Sequence, residues 1–254
     1  MKLELQGVSK SFWDGLQRGE APLTVLEDVS FKIETGGFVC LIGPSGSGKS
    51  TIFNLITGLI RPDQGHILLN DQVIDGAVGQ VGYMPQRDLL LPWRTVLENA
   101  ILGAQVMGRS VSETRQRARE LLPLFGLQGF ADAYPASLSG GMRQRAALLR
   151  TVLMDREVIL LDEPFGALDA LTRREMQRWL LGVWAEFKPT ILFITHDVRE
   201  AVMLADRVLV MTPRPGRVRG DYQIDLPRPR KESDEHFIRS QSLLYQALEI
   251  GEGA

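Results

Sequence analysis

Phe38-Val-Cys-Leu-Ile42 runs directly into Gly43-Pro-Ser-Gly-Ser-Gly48-Lys49-Ser50-Thr51, and the reading of this stretch decides the fold. Gly37–Leu41 is almost wholly apolar, as in a strand buried on both faces. Glycines punctuate the next six residues. Lys49–Leu59 then carries apolar residues at helical spacing and stops at Arg61-Pro62-Asp63-Gln64-Gly65. Strand, glycine loop and helix in the pattern G-x-x-x-x-G-K-[ST] make an anion cradle. The glycines let the backbone curl so that successive N–H groups point inward, and the helix N-terminus adds about half a positive charge. Gly43, Pro44, Ser45, Gly46, Ser47, Gly48, Lys49, Ser50 and Thr51 are therefore candidates for phosphate binding. Lys49 would bridge the β and γ phosphates and the Ser50 hydroxyl would ligate Mg2+. A plain Gly-rich turn with an exposed lysine is the bland alternative, and the flanking strand and helix tell against it.

Upstream, Lys2–Val8, Thr24–Val29 and Ser30–Glu34 alternate as short strands, and residues 66–85 return to the same pattern. From about Thr95 to Asp155 the pattern turns helical, with Glu113–Phe125 and Arg143–Leu153 as its clearest segments. Val158–Leu161 is again a buried strand. A helix at Leu171–Glu186, a strand at Thr190–Thr195, a helix at Val198–Ala205 and a strand at Arg207–Met211 complete the alternation. Such alternation predicts an α/β chain with a mostly parallel sheet covered by helices. The Pro- and Arg-rich tail from Pro213 is expected to run over the surface before a last helix near 234–249, so a chain cut at 212 is expected to keep nucleotide binding. No internal repeat is visible.

The 254 residues hold 29 Lys+Arg against 31 Asp+Glu, a net charge of −2, which argues against a protein that coats a polyanion. This length fits one large domain or two small ones and needs neither disulfide nor metal to hold a core. Cys40 is the single cysteine; it cannot pair within the chain, which points to a reducing compartment, and its apolar strand makes it a small buried hydrophobe. Thr35 to Gly48, the longest uncharged stretch, is Gly-rich and short of the ~20 apolar residues a spanning helix needs. The alternating start Met1-Lys-Leu-Glu-Leu-Gln6 reads as a strand and not a signal peptide. A soluble protein that stays where it is made, yet free to dock on a membrane protein, is the expectation.

Asp162 and Glu163 end the Val158 strand. A carboxylate at the carboxyl edge of a parallel sheet, beside a phosphate loop, is placed to hold Mg2+. The adjacent Glu163 points the opposite way and would activate a water. Ser139-Gly140-Gly141 opens a helix as a second anion nest, useful if it serves another subunit's nucleotide. Alone, a plain N-cap is the stronger reading of it. His196 follows a buried strand and would donate to the γ-phosphate. Gln86 reads alone as a surface Gln, and Asp169 as a helix cap.

In this order the features resemble the ATP-binding subunit of ABC transporters over residues 2 to about 212. Gly43–Ser50 is similar to the family's Walker A loop and Val158–Glu163 to Walker B with its catalytic glutamate. Leu138-Ser139-Gly140-Gly141-Met142 is similar to the signature, Gln86 to the Q-loop, Gly166–Asp169 to the D-loop and His196 to the switch histidine. The resemblance implies a P-loop NTPase (RecA-like) core with a small antiparallel β part at 1–86 and 156–212, a helical signature subdomain at 87–155 and a surface tail at 213–254. It assigns Gln86, Asp162 and Ser50 to Mg2+, and Glu163, His196, Gln86 and Lys49 to catalysis. Ser139, Gly140, Gly141 and Asp169 go to the nucleotide. Met142 stands where the commonest signature has Gln, with the Ser139 hydroxyl and glycine N–H groups retained. The adenine-stacking aromatic matches Phe12, with Trp13 as competitor at the head of an insertion-like stretch, Trp13–Leu23.

Leu90-Leu-Pro-Trp-Arg-Thr-Val-Leu-Glu-Asn99, Thr212-Pro-Arg-Pro-Gly-Arg217 and Leu226-Pro-Arg-Pro-Arg230 are similar to the nitrate/sulfonate/taurine-type importers of bacteria. The resemblance then implies an ATPase binding ATP and Mg2+ as a homodimer. It would sit on the cytoplasmic face of the inner membrane against an integral permease, with Leu89–Trp93 as the contact, and a periplasmic or lipoprotein solute-binding protein would supply the solute. A nucleic-acid or ribosome ATPase of the same family is the alternative. The repair type carries a long coiled coil, and the fifty-odd residues from Gln86 to Ser139 hold no sustained heptads. The translation type carries two cassettes, and nucleic acid is not an expected partner. A P-loop kinase has no use for Glu163 or for a second nest.

Overall fold

The computed structural model describes residues 2–13 and 22–249, so most of the expected insertion, from 14 to 21, lies outside the described residues. In chain order the elements begin with β1 (Leu3–Phe12), β2 (Leu23–Ile33), β3 (Phe38–Ile42), α1 (Lys49–Ile56), β4 (Gln64–Leu69), β5 (Gln72–Val73) and β6 (Gly82–Met84). There follow α2 (Val96–Ala100), α3 (Leu102–Val106), α4 (Val111–Leu121), a 3-10 turn (Pro135–Ser137), α5 (Gly140–Val152), β7 (Val158–Asp162) and α6 (Ala170–Phe187). The chain closes with β8 (Thr190–Ile194), α7 (Val198–Leu204), β9 (Arg207–Met211), β10 (Val218–Gln223) and α8 (Glu235–Glu249). Two compact units result: the chain up to Val81 together with that from Thr190 on, and Gly82–Pro189.

In the first unit β1, β2, β4 and β5 form an antiparallel sheet in the order β2-β1-β4-β5. The two strands expected at Thr24–Val29 and Ser30–Glu34 are one, because Val29, Phe31 and Ile33 keep the inward alternation across the junction. Asp28, inside the first of these, is a bulge. Its φ is +51°, its N–H donates to the Ser9 hydroxyl (3.1 Å), and the pairing with β1 shifts register there. β3 is flanked by β8 and β9, both parallel to it, and β10 adds antiparallel to the outer edge of β9. Every residue of β3 is 3 % exposed or less, Cys40 included, as the unbroken apolar run requires. α1 ends three residues earlier than its apolar pattern. The chain turns at Gly58 (φ +78°), where a Cβ would come within 2.8 Å of the Ala77 backbone.

The tail departs from its expected surface course. β10 pairs with β9, and α8 buries Phe237 and Leu244, which are 1 % exposed or less. Arg230 donates into the carboxyl end of α7, to the carbonyls of Val202 and Ala205, each at 2.6 Å. An arginine with four backbone carbonyls around it satisfies its donors inside the fold, which a charge-based reading assigns to solvent.

In the second unit β6 and β7 pair in parallel, Met84 opposite Leu161. Between them the described residues hold helices only. α4 starts at its Ser110 cap and stops before Pro123, short of the expected Phe125. α2 opens on a capping box in which Thr95 accepts from the Glu98 N–H and Glu98 accepts from the Thr95 N–H.

Candidate nucleotide site

β3 ends at Ile42 and the chain curls through Gly43–Gly48 into α1. Gly46 and Gly48 hold φ of +78° and +91°, and a Cβ on Gly48 would come within 2.5 Å of the Leu26 side chain. The glycines are therefore required by both backbone and space. α1 starts without a side-chain cap, and uncapped N–H groups at a glycine loop suit a phosphate. The Lys49 ammonium is nearly buried under the loop and donates to the carbonyls of Gly43 (2.8 Å) and Pro44 (3.0 Å). The lysine is turned in under the loop, unlike the exposed lysine of a plain Gly-rich turn. Ser50 is exposed, Thr51 half-buried and the Ser47 side chain fully buried.

β8 lies beside β3 with Leu41 opposite Ile194, so His196 leaves the sheet at the same carboxyl edge as the phosphate loop. The His196 ring is exposed and lines a cleft of about 410 Å³ with Asp197, Arg199, Gln241 and Tyr245. Asp197 caps α7 by accepting from the N–H groups of Arg199 (2.8 Å) and Glu200 (3.2 Å), which fixes the turn that carries the histidine.

Within the second unit β7 delivers Asp162, 6 % exposed, and Glu163. Glu163 holds φ +42°, a costly conformation for a side chain with a Cβ. Gln86, two residues past β6, donates from Nε2 to Glu163 Oε2 at 3.2 Å, so these two sequence candidates meet. The Tyr83 hydroxyl donates to Asp162 Oδ2 at 3.4 Å. Burial, followed by the charge of Asp162, pushes this phenol up to about 12, so it stays a donor at neutral pH. Sequence reasoning missed Tyr83, because Gly82-Tyr-Met84 looks like any short strand.

Ser139 caps α5, its hydroxyl accepting from the Met142 N–H at 3.2 Å, and Ser139 is exposed. A Cβ on Gly141 would press on Thr172 (3.1 Å). Asp169 caps α6, accepting from the N–H groups of Leu171 and Thr172 at 3.1 Å. Hydrogen bonds from Thr172 first, and then from Leu171, hold its carboxyl below the usual carboxylate range. Phe12 ends β1 half-buried, with the Lys10 ammonium 5.7 Å from its ring centroid, while Trp13 is 69 % exposed.

The segment 88–95 is pinned from beneath by residues the sequence did not single out. Arg150 donates to the carbonyls of Asp88 (2.6 Å) and Leu89 (2.8 Å), and Arg143 pairs with the Asp88 carboxylate (3.2 Å). Buried Asn99 accepts from the Leu91 N–H (2.7 Å) and donates to the carbonyls of Leu91, Arg94 and Thr95. This rigid base leaves Leu89 and Trp93 58 % and 70 % exposed.

A glycine-loop cradle on a parallel strand, with a buried aspartate and a half-buried glutamate ending another, defines the P-loop class of nucleoside triphosphatases. The ABC transporter family matches residues 26–166, and the chain belongs to that family as an ATP-binding subunit with ATPase chemistry. It is 38% identical over 251 residues to the aliphatic sulfonates import ATP-binding protein SsuB of Bacillus cereus, covering 99% of this chain and 97% of that one. It is 43% identical over 223 residues to the formylaminopyrimidine import ATP-binding protein ThiZ of Halalkalibacterium halodurans, covering 87% and 86%. Among solved structures it is similar to a dimeric post-hydrolysis state of an ATP-binding cassette bound to ADP and Pi. The TM-score is 0.73 at 29% identity, over 89% of this chain and all of that one.

Proposed function

We propose that the chain is the ATP-hydrolysing subunit of a bacterial importer, working as a homodimer on the cytoplasmic face of an integral permease. The observation that carries this reading is that each chain holds one glycine-loop helix start, Gly43–Ser50, and a second at Ser139-Gly140-Gly141, whose Ser139 is exposed. Head-to-tail pairing of two copies uses both on the same triphosphate. The import functions named for SsuB and ThiZ, and the dimeric state of the solved cassette, support the same reading.

Each residue then has a task. Lys49 and the loop N–H groups hold the β and γ phosphates. Glu163, steadied by the Gln86 amide, accepts the proton of the attacking water, and Tyr83 keeps the Asp162 carboxylate oriented. His196 donates to the γ-phosphate, and Phe12 or Trp13 stacks on adenine. The partner copy's nest and Asp169 close over the nucleotide. The Ser50 hydroxyl, the Gln86 amide oxygen and the Asp162 carboxylate are hard oxygen donors of the kind Mg2+ takes, and the ion would neutralise phosphate charge. The apolar side chains of Leu89 and Trp93, on their pinned base, would meet the permease's cytoplasmic helix. The solute-binding protein would act through that permease.

The test is to purify the chain with the integral membrane protein it captures and to measure ATP hydrolysis in vesicles with and without that protein, DNA or ribosomes. Stimulation by the membrane protein alone, lost in Trp93→Ala, is expected. Stimulation by DNA or ribosomes would overturn the transport reading. Uptake assays with sulfonates, taurine and nitrate would then identify the solute class.

A further inference from the structure

A residue outside the ATPase motifs, in the Thr212–Arg217 stretch, approaches the phosphate loop at its tightest point. Gly216 sits in the turn between β9 and β10 and is hydrogen-bonded to β2 on both sides. Its N–H donates to the Val25 carbonyl (2.8 Å), and its carbonyl accepts from the Glu27 N–H (3.1 Å). This extra strip fixes the turn against Leu26, the residue that also fills the space beside Gly48. A Cβ on Gly216 would stand 1.9 Å from the Ser47 carbonyl oxygen, far inside any real contact. The backbone itself does not demand glycine here, since Gly216 is outside the left-handed region. Its small size is needed chiefly for the loop, since the other close neighbour, Met211 Cε at 2.8 Å, is the movable end of a flexible side chain.

The turn is braced from within. The Thr212 hydroxyl donates to the Pro215 carbonyl (3.0 Å) and accepts from the Arg217 N–H (2.9 Å), and Arg217 pairs with Glu27 (2.8 Å). A second contact lies at Gly46, where a Cβ would stand 3.5 Å from the Arg214 guanidinium. The Ser47 carbonyl and the Gly48 N–H share one rigid peptide plane. Whatever presses on that oxygen tilts an N–H at the mouth of the cradle.

We infer that the Thr212–Arg217 turn is part of the nucleotide machinery, with Gly216 as a positioning residue that sets the Ser47–Gly48 peptide for phosphate. This rests on the reading of Gly43–Ser50 as the phosphate cradle. Gly216→Ala is expected to weaken Mg·ATP binding by about tenfold, read by titration calorimetry on the full chain, and to raise KM for ATP more than it lowers kcat. Thr212→Val, which loosens the turn without adding bulk, is expected to weaken binding by about threefold, and it decides the matter alone if Gly216→Ala does not fold. Gly220→Ala is the control for mere destabilisation: its Cβ would meet the Tyr222 ring at 2.4 Å, on β10. That variant is expected to melt earlier with wild-type ATP affinity.

Wild-type affinity in Gly216→Ala, or in Thr212→Val if that variant alone folds, would overturn the inference. So would an affinity loss in Gly220→Ala equal to that in Gly216→Ala. Lys49→Ala separates the two claims. Normal ATP binding by Lys49→Ala would sink the cradle reading itself, whereas loss there with normal binding in Gly216→Ala sinks only the role of the turn.

Discussion

At the scale of single residues, the proposed chemistry depends on groups held before any ligand arrives. Lys49 is held by its own loop's carbonyls, and Glu163 is aimed by a strained backbone and by Gln86. Removing the ammonium in Lys49→Ala is expected to lower ATP affinity by at least about 2 kcal/mol, since a charge-assisted contact to phosphate is lost. Calorimetry checks this, and hydrolysis at the wild-type rate would contradict it. Glu163→Gln keeps the shape and removes the base, so kcat is expected to fall by about 10²–10⁴-fold while ATP still binds. The motif residues were legible because phosphate chemistry needs those types at that spacing. Tyr83 and Gly216 were not: an aromatic in a strand and a glycine in a turn have many ordinary uses, and only their neighbours in space give them a role.

Elements set those residues, and two of them answer to direct measurement. β3 carries the loop and is packed on both sides. Burial first, and then the charge of Glu200, push the Cys40 thiol well above its ordinary range. A raised pKa means that the folded chain holds this proton more tightly than the unfolded chain, whose thiol titrates at about 8.5. The stability it contributes is whole below that pH and drains as pH rises through and beyond it, by up to about 1.4 kcal/mol per pH unit. Cys40→Ala is expected to lose about 1 kcal/mol near neutral pH for the lost volume. Its urea midpoint should then fall less steeply than the wild type's above about pH 8.5. Equal slopes would show that the thiol is not the group responsible.

α7, which follows His196, is closed at its other end by Arg230. Arg230→Met leaves the Val202 and Ala205 carbonyls without that donor and is expected to cost about 1–3 kcal/mol, a drop of a few degrees in Tm. Apolar periodicity located β3, β7, β8 and β9 well, because strands buried on both faces leave an unbroken signal. It split β2 in two beside the bulge at Asp28. It was silent on β10, whose Arg, Gly, Asp and Gln show no apolar run.

For the molecule as a whole, the tail is the main revision. A chain ended after Met211 loses β10, the Arg230 clasp, the Gly216 contact and the buried side chains of α8. Such a truncation is expected to be poorly folded and unable to bind ATP, against the sequence-based expectation that binding survives; limited proteolysis and calorimetry on it decide. The two glycine-containing helix starts, at Gly43–Ser50 and Ser139–Gly141, were each visible in the sequence, and the proposed function has each copy lend one of them to its partner's nucleotide. The central claim concerns that exchange between copies. Size-exclusion chromatography with light scattering on Glu163→Gln, with and without saturating Mg·ATP, tests it most directly. The account predicts a particle of twice the monomer mass that forms with ATP and disperses when nucleotide is removed. A monomer at saturating ATP would contradict it.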